Sequence, residues 1–146
     1  MKLTSLVVSL PLFLVAAPVM AASDPCPASI TDALTKAFPD AKLAKCEADT
    51  GAGGKAYEAK LMRGKLEIEV DLSAKAELLH VEEDVLPASL PAAVTKALAA
   101  RYPGAKPAKV EKTTIGTAVT YEIEVRVDGK KKEATFQQDG AFLKED

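Results

Sequence analysis

Apolar and polar residues alternate at every step over residues 121–127, where Tyr121, Ile123, Val125 and Val127 are separated by Glu122, Glu124 and Arg126. The run closes on Asp128-Gly129. Strict period-two patterning predicts an antiparallel strand with one face on a core and one in water, and Asp-Gly predicts a two-residue hairpin turn. The odd-numbered residues should therefore pack against a helix, and the even-numbered ones should point the other way. A weaker copy, Tyr57-Glu58-Ala59-Lys60-Leu61, opens a second set of strands over residues 57–62, 66–72 and 77–81, with turns at Arg63-Gly64 and near Ser73-Ala74. Residues 42–47 read as a preceding strand, and Thr50 to Gly54 as a loop.

Helical spacing appears twice. Ile30, Leu34, Ala37 and Phe38 form one stripe, stopped by Pro39-Asp40; Leu90, Val94, Ala97, Leu98 and Tyr102 form another, stopped by Pro103-Gly104. Pro91 falls in the first turn of the second helix, where proline is tolerated. The two stretches also resemble each other residue by residue. Pro87-Ala88-Ser89-Leu90 repeats Pro27-Ala28-Ser29-Ile30 at an offset of 60, Tyr102-Pro103 answers Phe38-Pro39 after one extra helical turn, and Tyr121-Glu122 answers Tyr57-Glu58. Self-similarity on this scale predicts a duplicated unit. The expected fold is α+β: two tandem helix-plus-antiparallel-strand repeats, residues 23–84 and 85–146, forming one sheet with both helices on one face. Residues 83–86 would form the joint.

The N-terminus changes the composition that matters. Lys2, an apolar run broken by Pro11 and Pro18, and the small residues Ala21-Ala22-Ser23 predict a secretory signal peptide over residues 1–22. The apolar run is too short and too interrupted for a transmembrane span. Ser23-Asp24-Pro25 before Cys26 does not form a lipidation box. The formal charge of −2 becomes −3 once Lys2 is removed, which gives no basic footprint for nucleic acid. Two cysteines, Cys26 and Cys46, in an exported chain predict a disulfide. Their counterparts at these offsets are Leu86 and Val110, so the bond would stand where the second unit has an apolar contact.

The same motifs, a helix ending in Phe-Pro-Asp-Ala or Tyr-Pro-Gly-Ala, a Tyr-Glu strand, a Gly-Lys hairpin and a closing Asp-Gly turn, resemble the PepSY-like family of exported bacterial proteins. The duplicated unit of that family is similar in fold to beta-lactamase inhibitor protein. The resemblance covers residues 26–146 and departs from the pattern at Ser73-Ala74-Lys75, where the second unit has Gln138-Asp139-Gly140. It implies a periplasmic or secreted protein without catalysis or cofactor, one that inhibits or senses an envelope protein or peptidase through its sheet face. It supplies no active-site residues.

The residues that could carry chemistry agree with this. His80 is the sole histidine in the sequence and has no Gly-x-Ser-x-Gly elbow to serve, so it reads as a solvent-facing or edge-strand residue. Glu82-Glu83-Asp84 and Glu145-Asp146 read as solvated acidic ends, since neither has the alternating oxygen ligands of a calcium loop. Lys130-Lys131-Lys132 reads as a charged strand end that discourages edge pairing. The positive candidate is the outer sheet face, carrying Glu58, Lys60, Glu67, Glu69, Asp71, Glu122, Glu124 and Arg126. Two functions follow from it: a binding protein for an envelope or secreted partner, or a small-ligand or cation sensor using the acidic side chains.

Overall fold

The computed structural model describes residues 26–49 and 54–146. The predicted signal peptide, and all of the predicted loop except Gly54, lie outside those residues. Among the described residues eight strands form one antiparallel sheet in chain order: β1 (Lys42–Ala48), β2 (Lys55–Arg63), β3 (Leu66–Ser73), β4 (Leu78–Asp84), β5 (Pro107–Ile115), β6 (Ala118–Val127), β7 (Lys130–Gln137) and β8 (Phe142–Glu145). Helix α1 (Ala28–Ala37) precedes β1, and a 3-10 turn (Pro87–Ser89) and helix α2 (Ala92–Arg101) separate β4 from β5.

Ten-residue helices are marginal on their own in water, so packing has to hold them. Ile30 and Leu34 of α1 are fully enclosed with Ala59, Leu61, Ile68, Val70 and Leu72. Val94 and Leu98 of α2 enclose Val110, Tyr121, Ile123, Val125, Ala134 and Phe136 in a second, separate cluster. The odd-numbered residues of the 121–127 run therefore do face α2, with Val127 only partly covered. Val81 and Thr114 are register partners across the middle of the sheet, which puts the inward positions of both halves, and hence both helices, on one face.

The second helix starts later than Pro87 suggested. Pro91 is its N-cap residue, and the apparent extra helical turn is the separate 3-10 turn over Pro87–Ser89. With that turn set aside, corresponding positions lie 64 apart: Ile30, Leu34 and Phe38 match Val94, Leu98 and Tyr102. Strand partners follow the same spacing, Tyr57↔Leu72 matching Tyr121↔Phe136. So do two register shifts, between Leu43 and Lys45 and between Pro107 and Lys109. The counterpart of Cys26 is thus Leu90, which packs on the cluster containing Val110, and not Leu86, which is exposed. Cys26 and Cys46 stand at disulfide distance, with Cα atoms 5.8 Å apart, where the second half has this apolar contact.

The halves meet at β4 and β5, through register pairs from Val81↔Thr114 to Asp84↔Glu111. Residues 83–84, expected in a linker, belong to β4, and β5 is a full strand that its sequence shows only faintly. Glu83 is 8% exposed on the inner face, so the acidic end of the first half is not simply solvated. Its carboxylate accepts from Arg63 of β2 at 3.0 Å and Lys112 of β5 at 2.9 Å, and Arg63 also pairs with Asp40 at 2.7 Å. Burial disfavours its charge, yet Lys112 and Arg63 together hold the Glu83 carboxyl below the usual range.

The sheet ends at β8 with an ionic latch to α2. Tyr102 donates to Glu145, Arg101 donates to the same carboxylate at 3.1 Å, and Lys132 pairs with its other oxygen. The Arg101 guanidinium lies 3.6 Å from the Phe142 ring centroid. Glu145 is therefore a clamp and not a solvated end. The Lys130-Lys131-Lys132 run lies in β7, one strand in from the edge.

Two outcomes follow. Gly140 has φ +91°, and an added Cβ would come 2.7 Å from the Ala93 carbonyl oxygen. Gly140→Ala should cost about 2 kcal/mol or more in a denaturant titration, combining left-handed backbone strain with a backbone clash. The Glu145 carboxyl is depressed to about 2, first by Lys132 and then by Tyr102. A depressed carboxylate stabilises the fold above its unfolded pKa and loses that contribution as pH falls, here from about 4.5 toward about 2. Glu145→Gln should accordingly melt earlier at neutral pH and converge with the parent protein in that window.

Candidate functional site

Because strand side chains alternate, every residue next to a core residue on β2 to β7 points away from the helices. The outer face so formed carries Glu58 and Lys60 on β2, Glu67, Glu69 and Asp71 on β3, and Glu122, Glu124 and Arg126 on β6. These eight residues do share one face, but in two groups. Lys60 pairs with Glu67 at 2.7 Å and Glu69 at 3.0 Å, and Lys55 joins Glu58 at 2.9 Å to Asp71 at 2.8 Å. Glu124 lies 3.3 Å from Lys131, and Arg126, 66% exposed, reaches Glu124 only at 4.0 Å.

Between the groups lie Glu82 and Asp84 of β4, read from the sequence only as part of a solvated acidic end, and Lys109 and Glu111 of β5, which the pattern did not single out. With Glu67 and Glu69 they line an open trough of about 220 Å³ over the seam between the halves. Lys109 pairs with Asp84 at 3.1 Å and Glu111 at 3.2 Å. Farther on, Lys131 pairs with Glu133 at 2.8 Å as well as with Glu124. The alternation of Lys109, Glu111 and Thr113 was the available signal. It was masked because Val110 is flanked inwardly by Lys112 and Thr114 instead of apolar residues.

Several strand partners on this face carry like charge. Glu47 lies opposite Glu58, Glu69 opposite Glu82, Asp84 opposite Glu111, Glu111 opposite Glu122, and Glu124 opposite Glu133. Directly opposed like charges destabilise a sheet. Burial first, then Glu111 and further acids, push the Glu82 carboxyl up from its ordinary value, His80 opposing them. Lys60 and Lys109 are raised by the carboxylates they serve.

His80 lies on an interior strand, not an edge, and its two ring nitrogens face Asp71 at 3.6 Å and Glu82 at 3.3 Å. That surrounding offers the imidazole two carboxylate partners for ion pairing. Among the described residues no group of three or more His, Cys, Asp or Glu side chains is arranged to hold a metal ion. No helix among them is long and apolar enough to cross a membrane.

A raised carboxyl has a definite consequence. The folded state holds the Glu82 proton more tightly than the unfolded chain, so ionising Glu82 as pH rises through this range weakens the fold. Glu82→Gln should therefore raise the melting temperature at pH 7, and the gain should vanish in acid, where both carboxyls are protonated.

The family profile described as "Putative beta-lactamase-inhibitor-like, PepSY-like" matches residues 21–80 and again residues 55–144. Among solved structures, a BLIP-like protein from Bacteroides fragilis is 28% identical, with TM-score 0.64 over 84% of this chain and 86% of its own. A DUF2874 family protein from Bacteroides uniformis is 22% identical, with TM-score 0.63 over 83% of this chain and 88% of its own. A third, described as a putative periplasmic protein from Bacteroides eggerthii, is 22% identical, with TM-score 0.61 over 82% and 87%. No curated protein matches. Matched by the profile over nearly its whole length, with a fold shared by these structures, the chain belongs to the PepSY-like family.

Proposed function

We propose that the protein is an exported, non-enzymatic binding module that engages an envelope or secreted protein through the outer face of its sheet. The observation that carries this reading is the face itself: a broad, charged surface spanning β2 to β7, uncovered by either helix, on which acids stand opposite acids across neighbouring strands. Charged surfaces of this kind set partner choice and association rate more than affinity. The predicted signal peptide, the cysteine pair at disulfide distance and a structural relative described as a putative periplasmic protein support an extracytoplasmic location. An inhibitory role is supported by the family's description as beta-lactamase-inhibitor-like. The recurrence of helix, strands, turns and bulges at a spacing of 64 supports two tandem copies of one unit, residues 23–84 and 85–146, within one compact domain.

The test is a pull-down from periplasmic extract, comparing the parent protein with Glu122→Lys/Glu124→Lys/Arg126→Glu. A partner retained by the parent and lost by the charge-reversed protein, with both folded by circular dichroism, is the expected outcome. A partner set unchanged by the reversal would remove the sheet face from consideration.

A further inference from the structure

The ion pairs of the outer face do not balance. Lys60 is shared by Glu67 and Glu69, Lys109 by Asp84 and Glu111, and Lys131 by Glu124 and Glu133. Three lysines, with Arg126 reaching Glu124 at 4.0 Å, thus serve six carboxylates, and each lysine is already committed to two. Glu82, in the middle of the array, has among the described residues only the His80 ring as an ion-pair partner, at 3.3 Å. Strand register adds to the deficit, because Glu69↔Glu82 and Asp84↔Glu111 set acids side by side across consecutive strands at the seam. Strands lie about 4.8 Å apart, a distance at which two carboxylates repel appreciably at a protein surface. A trough lined by five carboxylates and one lysine keeps an excess of negative charge, which concentrates counter-charge from solution. What complements it is a set of cations carried at similar spacing.

We propose that the outer face takes a lysine- and arginine-rich segment of its protein partner, whose cationic side chains enter the trough bounded by Glu67, Glu69, Glu82, Asp84 and Glu111. This rests on the face-binding reading above and names the chemistry of the partner. Lys60 and Lys109 then act as internal competitors: they occupy the carboxylates in the free protein and are displaced in part when the partner's cations arrive. That competition separates a complementary surface from one that is merely acidic.

The experiment is fluorescence anisotropy with two synthetic octapeptides, one alternating lysine and threonine, the other alternating glutamate and threonine. The lysine peptide should bind the parent protein with an affinity that falls as salt rises, and the glutamate peptide should not bind. Glu82→Gln/Glu111→Gln should weaken lysine-peptide binding by about tenfold, while Lys109→Gln should tighten it by roughly threefold. Asp32→Asn/Asp128→Asn removes the same charge away from the trough and should change binding little. Equal loss in that control, weakening by Lys109→Gln, or binding of the glutamate peptide would overturn the proposal. So would thermal stabilisation by calcium chloride without peptide binding, which favours a cation sensor. A pull-down partner that depends on the face but is acidic at its contact would overturn this inference and leave the face-binding reading standing.

Discussion

The arrangement depends on one buried carboxylate. Two helices cover two separate apolar clusters, and the sheet is continuous between them only through β4 and β5. At that junction Glu83 draws a guanidinium from the first half and an ammonium from the second onto one inward-facing acid. Removing either partner alone would leave charge in a poorly hydrated place, whereas keeping all of them fixes the relative position of the halves. The seam is therefore specified by polar geometry, where the flanking cores are specified by volume. Everything presented on the opposite side of β4 and β5, the trough included, inherits its geometry from this pairing.

The inner and outer sides of the same strands thus solve opposite problems. On the inside, one carboxylate is satisfied by two cations. On the outside, Lys60, Lys109 and Lys131 are each divided between two carboxylates, and acids sit opposite acids. Adjacent residues show the contrast directly: Glu83 is held ionised by its partners, while burial and neighbouring acids raise the carboxyl of Glu82. An exposed sheet optimised for its own stability would alternate charge across strands. The departure from that arrangement is concentrated on the face that neither helix covers.

The α+β class, the strands of clear alternation and the inward residues of the 121–127 run could be read from residue pattern, because each is local and amphipathic. The second helix start could not, because Pro87-Ala88-Ser89-Leu90 copies the first helix's opening sequence while the buried positions follow Pro91 instead. Strand β5 was faint because its inward positions include Lys112, which is sheltered by Glu83 from a strand that pattern alone does not place beside it. The trough shares this difficulty: it forms across the β4–β5 junction, and no window of sequence contains both sides. Glu145 looked like a charged end because its partners Arg101 and Tyr102 lie more than forty residues earlier.

That latch bears on how the molecule comes apart. At a spacing of 64, the second-half residues Tyr102, Lys132 and Glu145 occupy the positions of Phe38, Ile68 and Val81 in the first half, all three of them buried. There β5 flanks β4. Where a neighbouring strand gives shelter the fold uses hydrocarbon, and where the sheet stops it uses ions that can remain hydrated. The hydrocarbon version yields only with its core, whereas the ionic version can open on its own in a local fluctuation. Amide hydrogens of β7 that bond to β8 should thus exchange through a low-energy opening that leaves both cores intact, making the C-terminal hairpin a separate unit of motion within one continuous sheet.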